Sequence, residues 1–114
     1  MDEITRILQK YNNFKDAQIR SIRQTSDDTK VVKLVNMDDD GEDISTVLLE
    51  CKGIKQSRIL DGSVLPMLDM MSGVTILKEH DLYGFALGNG SAMLHVHNAP
   101  LYIVASEMTI SEEA

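Results

Sequence analysis

Apolar residues at Ile4, Ile7, Leu8 and Tyr11 recur at three- and four-residue intervals, the period of an amphipathic helix. Asp2 ahead of them can cap the first turn and Asn12-Asn13 behind them supplies a stop, so a helix is predicted over residues 1–12. The period then shortens. Residues 17–25 and 30–37 are rich in β-branched and apolar side chains and are bounded by the polar clusters Ser26-Asp27-Asp28-Thr29 and Asp38-Asp39-Asp40-Gly41, which predicts two strands of a hairpin. A third strand is expected over 45–52, with Val47, Leu49 and Cys51 on one face, then a bend or bulge at Gly53 and a continuation through residues 54–60.

The run DGSVLPMLDMMSG changes the pattern again. Ser63 can cap, Pro66 is tolerated in a first turn and Gly73 can end a helix, so a short inserted helix is predicted with Val64, Leu68 and Met71 on its packing side. Three further strand candidates follow: residues 74–79 with a possible extension through Leu87, residues 92–97 after Gly88-Asn89-Gly90, and residues 101–109 after Asn98-Ala99-Pro100. Short connections favour antiparallel neighbours, because a parallel return needs a crossover of a dozen residues or more. The expected fold is α+β: one domain over residues 1–114, a mainly antiparallel, rolled or half-barrel sheet of six or seven strands, an N-terminal helix and one short inserted helix. Residues 111–114 are expected to fray.

Composition narrows the class. With 43% hydrophobic and 25% charged residues the chain has ordinary globular values, and seven Met against five aromatics predicts a deformable, aliphatic core. Cys51 is the only cysteine, so no internal disulfide can form, and its place in a strand predicts a buried small hydrophobe. The start MDEITRILQK has acidic residues where a secretory signal needs basic ones, and no apolar run is long enough to span a membrane. A cytoplasmic location is the expectation.

Charge is distributed unevenly. Residues 1–58 carry ten basic and eleven acidic groups, whereas residues 59–114 carry one basic residue, Lys78, and seven acidic ones. A field of one sign over part of a small domain repels nucleic acid and anionic membrane and speeds encounter with a basic partner. The earlier bases Lys10, Lys15, Arg20, Arg23, Lys30 and Lys33 are interleaved with acids and make no net basic footprint for nucleic acid.

Several patterns invite a chemical reading. His95 and His97, two apart in a predicted strand, would point to one face and could serve as metal ligands; residues 98–106 contain no carboxylate to complete the set. In the same strand Ala92, Leu94 and Val96 would face the core and leave both histidines on a solvated or partner-contacting surface. Asn36-x-Asp38-x-Asp40-Gly41 opens like a calcium loop, but Val47 stands where the closing Glu is required. Gly84, Gly88 and Gly90 lack dinucleotide-binding spacing and are explained by turns. Met67, Met70 and Met71 are expected in the core. No catalytic or cofactor motif is present, and none is predicted.

Phe14, Asp16 and Ala17 entering the first strand, followed by KVVKLV, by TVLLECKGI with Gly53-Ile54, and by LYIVASEMTI, resemble a group of small bacterial immunity-type proteins, the partners of polymorphic toxins. Lys15 stands where His is frequent in that group, so no role of that His is carried over. The resemblance spans roughly residues 11–110 and implies a cytoplasmic, non-enzymatic protein that neutralises a toxin by binding it. With the charge pattern, it gives the expected function: a protein-binding domain that occludes a basic partner, with Asp61, Asp69, Glu79, Asp81 and Glu107 as charged contacts. The alternatives are a small metal- or ligand-binding domain centred on His95 and His97, and a homo-oligomeric module that associates through free sheet edges.

Overall fold

The computed structural model describes residues 2–15 and 17–113, without the side chains of Asp2 and Pro66. Helix α1 spans Asp2–Lys10; strands β1 to β5 span Gln18–Ser26, Thr29–Met37, Asp43–Arg58, Val74–Glu79 and Leu82–Leu87; a short helix α2 spans Met93–His97; and β6 spans Tyr102–Glu113. The strands form one antiparallel sheet in the order β1-β2-β3-β6-β5-β4. Two three-stranded antiparallel units thus meet where β3 pairs with β6: β1, β2 and β3 are joined by short turns, as are β4 and β5, whereas β5 and β6 are joined by residues 88–101, which include α2. The predicted α+β architecture with a six-stranded, half-barrel sheet is the observed one.

The concave side of the sheet holds the main core. Leu34, Val47, Leu49, Phe85, Leu101 and Ile103 are fully buried there, and α1 lays Ile4 and Ile7 onto them. Ile22, Val32, Leu49 and Ile110 follow one another across strands in register, each with its even-spaced neighbours, so alternation along the strands delivers one face to this core. The gap between the two outermost strands is closed by two 3₁₀ turns: Leu65–Met67 packs on β1, and Asn12–Phe14 reaches β4. Asn12, Asn13 and Phe14 all take positive φ, and Phe14 stacks on Tyr11 with ring centroids 5.5 Å apart while filling one end of the core. Such a backbone is uncommon for a bulky residue; burial of the whole ring offsets its cost. Beside this turn Gly73, at φ +69°, has no room for a side chain, because a Cβ would meet the Asn13 carbonyl.

Three expectations need correction. Residues 92–97 are not a strand. Their chain forms α2 and crosses the convex face, burying Val96 and Ala99 against Ala86 and Val104, and the buried or half-buried Met93, Val96 and His97 follow a helical period. Gly84 makes this possible, since a Cβ there would stand 2.9 Å from the Met93 sulfur and 3.0 Å from Val96. The inserted helix is a single 3₁₀ turn rather than an α-helix, and its buried residues are Leu65 and Met70, not Val64 and Met71. Residues 111–113 do not fray: β6 continues to Glu113, opposite Thr46. Ala114, Asp16 and the capping carboxylate of Asp2 lie outside the described residues.

The far end of β6 is held by charge. Glu112 accepts hydrogen bonds from Lys10 Nζ at 2.7 Å and Tyr11 Oη at 2.5 Å, with Arg6 Nη2 at 3.4 Å, tying α1 to the sheet. The Lys10 ammonium, then the Tyr11 hydroxyl, hold the Glu112 carboxyl at about 2, below its ordinary 4.5. A carboxylate with a depressed folded-state pKa stabilises the fold above its unfolded value and loses that contribution as pH falls. The melting temperature should therefore decline as pH is lowered from about 4.5 towards about 2, and Glu112→Gln should make that decline shallower, as thermal melts at stepped pH would show. Glu3, Asp43 and Asp61 are shifted in the same direction, so some acid sensitivity should persist in the variant.

Candidate protein-binding surface

Between β3 and β4 the chain covers the open side of the half-barrel, and residues 59–77 contain Asp61 and Asp69 but no Lys or Arg. Leu65 and Met70 anchor this segment in the core, with Ile59, Leu60 and Leu68 half-buried beside them. Its outer turns are closed by its own groups. Asp61 Oδ1 accepts the Ser63 backbone N–H at 2.9 Å and the Ser63 hydroxyl at 2.8 Å, and Asp69 Oδ1 accepts the Met71 N–H at 3.0 Å. Backbone bonds from Val64, Met67 and Gly73 to the carbonyls of Asp61, Val64 and Met70 complete the series.

The result is a braced loop that presents apolar side chains to solvent. Met67 is 81% exposed, Met71 75% and Val64 41%, although nothing in the backbone prevents them from being polar. Each Asp uses Oδ1 internally, and Oδ2 makes no bond to another described residue. The Ser63 N–H, then its hydroxyl, keep the Asp61 carboxyl below the usual carboxylate range, so it is charged at neutral pH. Unbranched thioethers adapt to irregular surfaces.

The five carboxylates predicted as partner contacts do not share one surface. Asp61 and Asp69 stand on the loop that covers the concave side; Glu107 projects from the convex face opposite Lys52; Glu79 is half-buried and accepts the Met93 N–H at 3.1 Å, holding the start of α2; Asp81 sits at the β4–β5 turn with φ +66°. The sheet itself separates them, because successive side chains of a strand leave on opposite faces and the crossover covers only one of those faces. Only Asp61 and Asp69 are joined with exposed apolar groups in one short segment.

The histidines are also separated. At about 100° per residue a helix turns positions two apart roughly 200° away from each other, where a strand would have aligned them. His95 Nδ1 accepts the Ser91 N–H at 3.0 Å beside an open cleft of about 440 Å³ lined by Asn89, Gly90, Ser91 and His95, while the His97 ring meets Tyr102 edge-on at 5.5 Å. Among the described residues no group of three or more His, Cys, Asp or Glu is placed to hold a metal ion. Cys51 is buried, and desolvation pushes its thiol up to about 12, which leaves it protonated and unreactive at neutral pH.

Comparison of the chain with protein-family models, with curated proteins and with solved structures finds no significant match. Among the described residues no helix is long and apolar enough to cross a membrane.

Proposed function

We propose that the chain is a non-enzymatic, cytoplasmic binding protein that occludes a basic protein partner with the loop of residues 61–71. The observation that carries this reading is the exposure of Met67 and Met71 on a loop that Asp61 and Asp69 brace. A loop needing only to cross the sheet end would gain nothing by ordering two large apolar side chains in water, whereas a binding surface needs anchors ordered before the partner arrives. The remaining acids of residues 59–114 extend the negative field beyond the contact and act on encounter rather than on the bound state. The resemblance of the 14–17 and 53–54 elements to immunity-type proteins agrees with this role, with a basic toxin as the partner class.

The test uses the purified chain as bait against the products of its neighbouring genes. A basic protein should be retained, and Asp61→Asn/Asp69→Asn should slow its association about three- to tenfold at low salt, with the difference vanishing as salt screens the charges. Retention of acidic proteins alone, or an association rate indifferent to salt in the unmodified chain, would reject the reading.

A further inference from the structure

The sheet has two outer strands, and they are treated differently. β1 is interrupted by register shifts between Ile19 and Ser21 and between Gln24 and Ser26, and the Leu65–Met67 turn packs on it. Bulges and covering segments are the usual means of preventing strand addition. β4 carries no register shift: its six residues pair with β5 throughout, and the Asn12–Phe14 turn that reaches it lies against Gly73, just before the strand starts.

His80 and Asp81, both with positive φ, form a two-residue hairpin turn that closes on the pair Glu79 and Leu82. In such a hairpin the closing pair is hydrogen-bonded, so Thr75, Leu77 and Glu79 direct their backbone groups at β5, while Ile76 and Lys78 direct theirs outward. Among the described residues those outward N–H and C=O groups have no partner. Helix α2 contacts β4, Leu77 and Met93 pack against the same small apolar cluster, and Leu94 of α2 is 69% exposed. The strand with the open ladder is thus one of those that α2, with its exposed leucine, contacts.

We infer that β4 pairs antiparallel with β4 of a second copy of this chain, about a two-fold axis through Leu77, to form a continuous twelve-stranded sheet. This register is self-complementary. Leu77 faces its own copy in a non-hydrogen-bonded pair, Ile76 lies opposite the copy's Lys78 in a hydrogen-bonded pair, and Glu79 lies opposite the copy's Thr75, so no like charges oppose each other. A foreign strand would satisfy the ladder equally but would have no reason to match this arrangement of one apolar centre between one cation and one anion. The surface is separate from the 61–71 loop, and the inference stands or falls without it.

Each copy carries a net charge of -7, so the association opposes long-range repulsion and tightens as salt is added, the reverse of the salt response expected for a basic partner. Sedimentation equilibrium of the full chain over a range of concentration and salt should show a monomer–dimer equilibrium with that trend. Lys78→Pro removes the outward N–H without touching the β4–β5 ladder, a substitution that edge strands accept, and should weaken the dimer at least about tenfold while circular dichroism stays unchanged. Leu77→Cys should form a disulfide dimer on mild oxidation, because non-hydrogen-bonded pairs bring Cα atoms to about 4.5 Å, and Thr25→Cys should not. A monomer at every concentration and salt, a dimer indifferent to Lys78→Pro, or equal cross-linking at both cysteines would overturn the inference.

Discussion

Phe85→Ala is expected to destabilise the protein by about 3–5 kcal/mol, the largest loss from any single side chain considered. The ring is fully buried in the middle of β5, with Ile76 and Ile103 as its cross-strand neighbours on either side. Strand β5 is paired along both edges and covered by α2 on its other face, so the backbone cannot collapse into the space the ring leaves. A domain of this size holds only about 5–15 kcal/mol in all. The melting temperature should drop by roughly 12 °C or more, and chemical unfolding should give the same loss with an unchanged denaturant slope. A loss under about 1 kcal/mol would mean that the concave core is not packed around β5 as described.

The largest effect on binding is expected from Met67→Ala combined with Met71→Ala. Both side chains are mostly exposed and contribute little to the folded monomer, so melting should stay within about 0.5 kcal/mol of the unmodified chain. Affinity for the basic partner should fall about thirtyfold or more, since truncating a central apolar anchor costs about 2 kcal/mol or more. The loss should be in dissociation rate, whereas the Asp61→Asn/Asp69→Asn pair should act on association. A control at Met70, which is buried, should reverse the pattern: stability lost, and the partner still bound by whatever fraction remains folded.

Much of the architecture could be read from local patterns because most of the strands are joined by their own turn signals. Ser26-Asp27-Asp28-Thr29 and Asp38-Asp39-Asp40-Gly41 delimit β2, and the alternation of Val47, Leu49 and Cys51 gives the buried face of β3, each a property of neighbouring residues. Pairing of β3 with β6 was not legible, because the two strands are more than forty residues apart and nothing local encodes that register. The misreading of residues 92–97 has a physical source. Six residues carry both a two-residue alternation and a three- and four-residue spacing, and only the shape of the site decides between them: β5 already has neighbours on both edges, and Gly84 leaves a hollow that fits a helix.

The candidate surface was legible only in part. Its acidity was, because residues 59–77 contain no base. Its methionines were assigned to the core by their hydrophobicity, and one of the three, Met70, is there. Asp61-x-Ser63 and Asp69-x-Met71 carried the missing signal: an Asp that accepts the N–H two residues on closes a turn, and two such turns eight residues apart, with Pro66 between them, describe a braced loop better than a helix. The other three acids were grouped with them on charge alone, which does not reveal that a sheet stands between.

The most direct measurement is photo-cross-linking in cells, with a photoreactive residue placed at Met67 and, as a control, at Thr25 on the convex side. The account predicts an adduct with a basic protein at position 67, abolished by Asp61→Asn/Asp69→Asn/Met71→Ala, and none at position 25. Adducts of equal yield at both positions, or an adduct at position 67 only with acidic proteins, would contradict it.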